Sequence, residues 1–408
     1  VMTNEGRNTI GIFEYDPRTN KFIRTVFATD EGDVASYHYD LFTDSLTYLI
    51  WYEGATPHYV VVDPRAKGYM TALKQAFPGE QVVPFDISKN GNEILVYVYN
   101  DTHSGSYYAF DAAKHNAQLL GVERPWLDSH KMAPVRDGSV KTSDGFIIYY
   151  LLTLPVNGHG PFPLVVIPHG GPIGVFNVNG FDDVAQLLAS RGYAVLKVNY
   201  RGSGGSGKKF MNAGKRQWGR KIEDDINEAV QAVLKSAPID KNRICLFGAS
   251  YGGYSALMSL IRYPDLYKCA ASYAGVTDIP LLYDSSYIQY DKENRAEMAD
   301  ITGDPTKDAA QLRAVSPVYL AAKIKRPVFL AQGGKDTRVD PEQAFRMKLV
   351  LEKLGKQVEF KYYPNEIHGF SKIDDETDFF TRLLAFFNKN IGPQRTAAPK
   401  GSQANHQK

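Results

Sequence analysis

Ser250, Asp336 and His368 have the types and the chain order that acyl transfer would need. Ser250 lies in FGASYGG, residues 247–253, with the spacing Gly-x-Ser-x-Gly. A hydroxyl is a weak nucleophile until a base takes its proton, and the base needs a carboxylate to fix its tautomer. On a strand–turn–helix nucleophile loop the expected order is Ser, then Asp or Glu, then His. Two histidines follow Ser250: His406, in the polar stretch TAAPKGSQANHQK, and His368, in the loop YYPNEIHGF. His368 is the candidate base. The stretch QGGKDTRVDPEQ offers Asp336 and Asp340 as orienting carboxylates. Asp340 directly precedes Pro341 and reads as a helix N-cap, which leaves Asp336. A tetrahedral intermediate also needs an oxyanion hole. Its expected donors are the backbone N–H of Tyr251 and one from the loop HGGP, His169–Pro172, where Gly171 is preferred and Gly170 is the alternative.

These residues need elements to hold them. NRICLF, just before the serine, is a short apolar run that reads as a buried strand. After it, Tyr254, Leu257, Met258 and Ile261 recur at helical spacing as far as Pro264. A tight turn between the two requires small neighbours, and Gly248 and Gly252 supply them. Around this unit the second half of the chain alternates strand and helix. PLVVIP, YAVLKVNY, RICLFG, KCAASYAG, RPVFLAQG and VEFKYYP are near-continuous apolar runs, each followed by an amphipathic stretch. That pattern predicts a mostly parallel sheet covered by helices on both faces, with chemistry at the carboxyl ends of its strands.

The first third has a different texture. IGIFEYDPRTNKFIR, HYVVVDPRAKGYMT and SYYAFDAAKHNAQLL carry aspartates at 16, 63 and 111, which are 47 and 48 residues apart. A period in the forties built from strands is the mark of β-propeller blades. Residues 1–125 hold about two and a half such blades, fewer than the roughly four a closed propeller needs. The domain reading is therefore partial propeller over 1–125, catalytic α/β domain over 131–392, and disordered tail over 393–408.

Composition narrows the partners. At 408 residues the chain is long enough for two domains, with 43% hydrophobic and 23% charged residues. A net charge of +2 gives no electrostatic footprint for nucleic acid or an anionic membrane. No apolar run approaches the ~18 residues of a membrane span. The two cysteines, Cys245 and Cys269, lie in apolar strand-like runs and are expected to be buried thiols. No metal motif such as His-Glu-x-x-His occurs, and neither cofactor nor metal is expected. A homo-oligomer is compatible with the sequence, and the compartment is left open.

The motifs HGGP, NYRGSGGSGKKF, WGRKIEDDI, GASYGGYSA, SPVYLAAKIKRPVFLAQGGKDTRV and YYPNEIHGF together resemble the prolyl oligopeptidase family of serine peptidases. The likeness is to its acylaminoacyl-peptidase and dipeptidyl-peptidase-like branches, and it spans most of residues 131–392. The resemblance implies an α/β-hydrolase preceded by a β-propeller that covers the active site and excludes folded proteins. It implies that Ser250 attacks, His368 shuttles the proton, Asp336 orients, and Tyr251 with the HGGP loop stabilises the oxyanion. Short peptides are the implied substrates, taken by an exopeptidase or an oligopeptidase. A carboxylesterase on the same residues is the alternative, and a catalytically silent interaction protein a further one. Asp284–Leu312 is expected to line the substrate pocket. Three positions depart from the family pattern. Gln332 stands where His usually opens His-Gly-x-x-Asp, Asp340 where Pro is common, and Ile367 where Gly often precedes the histidine.

Overall fold

The computed structural model describes residues 1–41 and 43–392, with the side chains of Ser286 and Tyr287 not described. The tail expected over 393–408, with His406, lies outside them. The apolar runs of the second half form one eight-stranded sheet. In chain order its strands are β1 (Val135–Lys141), β2 (Ile147–Thr153), β3 (Phe162–Pro168), β4 (Ala194–Asn199), β5 (Ile239–Ala249), β6 (Cys269–Tyr273), β7 (Val328–Gly333) and β8 (Val358–Tyr363). They lie side by side as β1-β2-β4-β3-β5-β6-β7-β8, and β2 alone runs opposite to the other seven, pairing antiparallel with β1 and β4. The buried residues on β3 to β7 explain the continuous apolar runs, because both faces of these strands are covered.

Five helices matter for the site: α1 (Asp183–Ser190), α2 (Lys221–Ser236), α3 (Tyr251–Arg262), α4 (Glu342–Lys353) and α5 (Ile373–Ile391). Ile222, Ile226, Val230 and Val233 of α2 pack with Tyr254 and Leu257 of α3 on one face of the sheet. Leu188 of α1 and Phe379, Leu383 and Phe387 of α5 close the other. Between β6 and β7, residues 279–320 fold into short helices, among them Lys292–Thr302 and Ala309–Ala314. This is the helix-covered, mostly parallel sheet that the strand–helix alternation predicts, in the α/β-hydrolase arrangement that the resemblance implies.

Cys245 on β5 and Cys269 on β6 form a disulfide, which corrects the expectation of two buried thiols. They are register partners on neighbouring parallel strands, with Cα atoms 4.8 Å apart. Within the sequence each strand is legible, but neither the adjacency of β5 and β6 nor their register is.

The first third consists of antiparallel sheets of three, three and four strands. The four-stranded one, Gln81–Ile87, Glu93–Tyr99, Ser106–Asp111 and Asn116–Val122, is a complete meander of the propeller-blade type. The repeated aspartates share one local role. Asp16, Asp63 and Asp111 each accept a hydrogen bond from the backbone N–H two residues on, which turns the chain at a strand end. After Asp63 the chain departs from the repeat and enters a helix, Pro64–Ala76, which Asp63 caps. Asp33, just before the second sheet, and Ala55, in a hairpin turn of that sheet, bond Gly205, Gly207 and Asn179. Those partners lie in the loops after β4 and β3, so the blades sit against the carboxyl edge of the large sheet.

Candidate active site

Ser250 is the residue between β5 and α3, with φ 58° and ψ −125°. A non-glycine side chain at positive φ is strained, at a cost on the order of 1–3 kcal/mol, and persists only where its surroundings enforce it. Two close approaches do so here. A Cβ on Gly248 would lie 2.2 Å from the Gly252 carbonyl carbon, and one on Gly252 would lie 2.2 Å from Pro168 O. The turn is thus clamped between its own helix and the end of β3. Tyr251 occupies the first helical position, where a backbone N–H has no carbonyl within the helix to bond.

The HGGP loop follows β3 and touches the same turn. A Cβ on Gly170 would meet Ser250 Cβ at 3.8 Å. His169 is buried and stacked on Tyr200, with ring centroids 4.2 Å apart. Its Nδ1 lies 2.6 Å from Gly170 O and its Nε2 lies 2.8 Å from Ser203 Oγ. A ring nitrogen facing a carbonyl must carry the proton, so Nδ1–H donates to Gly170 O and Nε2 accepts from Ser203. Burial pushes the His169 pKa down to about 4, which keeps the ring neutral. With Gly170 O turned toward that ring, the planar peptide carries the Gly171 N–H the opposite way. Gly171 itself has φ 114°, which a glycine adopts freely.

Asp336 and His368 come together from loops after β7 and β8. Asp336 Oδ2 accepts from His368 Nδ1 at 2.7 Å, with the Asp336 side chain fully buried and His368 about one fifth exposed. The other carboxylate oxygen accepts from the backbone N–H groups of Arg338 and Val339 at 2.9 and 3.0 Å. Asp340 instead accepts from Glu342 N at the start of α4. Tyr273, at the end of β6, joins the two halves of the site. Its carbonyl accepts from Ser250 N at 3.0 Å, and its hydroxyl donates to the carbonyls of Ile367 and Gly369 on either side of His368. No hydrogen bond joins the Ser250 hydroxyl to His368 among the described residues. Such contacts commonly shorten only with substrate in place.

Arg201 anchors NYRGSGG from behind, bonding both carboxylate oxygens of Asp225 on α2 and the Asp144 carboxylate. A cleft of about 1110 Å³ between residues 124–133, α1 and α5 contains none of Ser250, Asp336 and His368, and lies apart from this chemistry.

Glu223 lies within WGRKIEDDI, where no sequence signal distinguishes it from its acidic neighbours. It is fully buried on α2, and its Oε1 accepts from the Tyr251 hydroxyl at 3.1 Å while Oε2 has no partner. Burial pushes its pKa up to about 7 from the ordinary 4.5. A raised folded-state pKa means stability that is fully present below about pH 4.5 and is lost as pH rises through about 7. The Glu223→Gln variant is therefore expected to match the wild type in Tm near pH 4. Near pH 8 it should exceed the wild type by up to about 3 kcal/mol of stability. Equal Tm values at both pH values would show that the folded-state pKa of Glu223 is not raised.

The sequence profile of the prolyl oligopeptidase family matches residues 179–394, more than half of the chain. Dipeptidyl aminopeptidase BIII of Pseudoxanthomonas mexicana is 30% identical over 400 residues, covering 95% of this chain and 57% of that protein. Among solved structures, a puromycin-hydrolysing peptidase of Mycobacterium tuberculosis superposes with a TM-score of 0.78 at 22% identity, over 94% of this chain and 59% of that one. Pyrococcus horikoshii acylaminoacyl peptidase superposes with a TM-score of 0.76 at 21% identity, over 96% and 61%. The chain thus spans less than two thirds of each of these proteins. The expected β-propeller and α/β-hydrolase architecture is the one these structures share.

Proposed function

The chain belongs to the prolyl oligopeptidase family, and on that premise we propose that it is a serine peptidase that hydrolyses short peptides through an acyl-enzyme on Ser250. The observation that carries the proposal is the strained Ser250 turn, tied through Tyr273 to a histidine that already holds its carboxylate. In this reading residues 131–392 are the catalytic domain and residues 1–125 are propeller blades.

With Nδ1–H committed to Asp336, the free nitrogen of His368 is Nε2, the one that can take a proton from Ser250. Ser250 Oγ then attacks the peptide carbonyl, and the new oxyanion is met by the N–H groups of Tyr251 and Gly171. His368 returns the proton to the leaving amine, and water reverses the sequence to release the acid. Asp336 stays ionised throughout and stabilises the imidazolium. Peptides as the substrate class are supported by the relative called a dipeptidyl aminopeptidase, and by blades lying over the carboxyl edge of the sheet, which favour small substrates.

A fluorophosphonate probe, which reacts with activated serines, tests the assignment. We expect one adduct, located on Ser250 by mass spectrometry of the digested protein. An adduct on another serine, or none, would overturn it.

A further inference from the structure

Gln332 occupies the position where the family pattern has His, and the structure gives it a partner. It lies on β7, completely buried, four residues before Asp336. Its amide nitrogen is 3.2 Å from Asp336 Oδ2, 3.2 Å from Gly333 O and 3.1 Å from Val339 O. All three are acceptors. Turning the amide over would set its oxygen against three oxygens, so only one orientation is tenable. In that orientation the buried Oε1 is left without a partner. The side chain thus leaves one polar atom orphaned in order to present its nitrogen, an expense that a purely space-filling residue would not incur.

The oxygen that Gln332 touches is the one that accepts from His368 Nδ1. We infer that Gln332 is a positioning residue: its amide fixes Asp336 Oδ2 on His368 and sets how strongly that carboxylate supports the imidazolium. The inference rests on the assignment of Asp336 and His368 proposed above. A donor on a carboxylate draws off part of its negative charge. Removing the donor leaves more of that charge for His368 and favours the protonated ring. An amide does this without titrating, which a histidine at the same place would not. The other titratable and charged groups around the pair are Lys335, Arg338 and Asp340 on the Asp336 loop, Tyr273 on β6, Glu366 and Lys372 beside His368, and Asp375 on α5. All of them are unchanged in the variants below, so differences between variants report on position 332.

The test uses the full chain as wild type, Gln332→Met and Gln332→Glu. Hydrolysis of p-nitrophenyl butyrate and the rate of fluorophosphonate labelling at Ser250 are followed from about pH 5 to about pH 9. For Gln332→Met we expect kcat to fall roughly 10–100-fold with KM within about twofold. The midpoint of the acid limb should move to higher pH. Gln332→Glu is nearly isosteric: protonated it can still donate to Asp336, ionised it cannot. Its activity relative to the wild type should therefore be highest at low pH and decline as pH rises. If Gln332→Met does not show a cooperative unfolding transition, the glutamate variant decides. Wild-type rates and midpoints in both variants, with Ser250 labelled in each, would overturn the role of Gln332 and leave the triad standing. Absence of labelling at Ser250 in the wild type would overturn the triad and this role with it.

Discussion

The Ser250→Ala variant is expected to lose catalysis by a factor on the order of 10⁵–10⁶ in kcat, while peptide binding persists. Alanine keeps the Cβ whose surroundings define the turn, and the clamp at Gly248 and Gly252 is backbone, so the elbow should survive the change. What disappears is the atom proposed to form the acyl-enzyme. Water held near His368 is a poor substitute, because the oxyanion donors Tyr251 N–H and Gly171 N–H are proposed to be aimed at an intermediate on Oγ. Initial rates on a peptide p-nitroanilide, with binding of the same peptide to the variant measured by calorimetry, would separate the two effects. A variant retaining even a tenth of the wild-type rate would falsify Ser250 as nucleophile.

The second large effect is expected for Asp336→Asn, on the order of 10⁴ in kcat. The asparagine oxygen can replace Oδ1 and keep the backbone donors of Arg338 and Val339. Its NH₂ then takes the place of Oδ2, facing the amide of Gln332 and Nδ1 of His368. Two donors meet at Gln332. At His368 the conflict is relieved only if Nδ1 gives up its proton, which moves the hydrogen to Nε2 and leaves no lone pair to accept from Ser250. The loss should fall on kcat far more than on KM, with unfolding still cooperative. If kcat stayed within about tenfold of the wild type, Asp336 would not be the orienting carboxylate.

The glutamine shows how a departure from a familiar pattern can be read. In QGGKD the amide stands in the sequence as a substitution without an evident purpose. In the fold it is the third side chain of the Asp336–His368 contact, because β7 ends at Gly333 and the loop then doubles back to set Asp336 beside it. His169 carries a similar lesson. HGGP suggests backbone donors by its glycines alone, and in the fold the histidine is buried, which lowers its pKa, and is turned onto the carbonyl of its own neighbour.

From the sequence alone came the strand–turn–helix unit around Ser250, the order serine, aspartate, histidine, the HGGP loop after β3, and the change from repeated hairpins to alternating strand and helix near residue 131. These are local or periodic features: hydrophobic spacing, glycines where backbones must meet, and the position of a residue at the end of an apolar run. The tertiary structure decided which strands are neighbours and in what register, and from that followed everything that depends on distant partners. Cys245 meets Cys269 because β5 and β6 pair in parallel. Tyr273 spans from Ser250 to His368, and Glu223 reaches the Tyr251 hydroxyl from another helix. A buried polar atom takes whichever partner packing brings within about 3 Å, and the strength of that demand, unlike the identity of the partner, is all that residue type discloses.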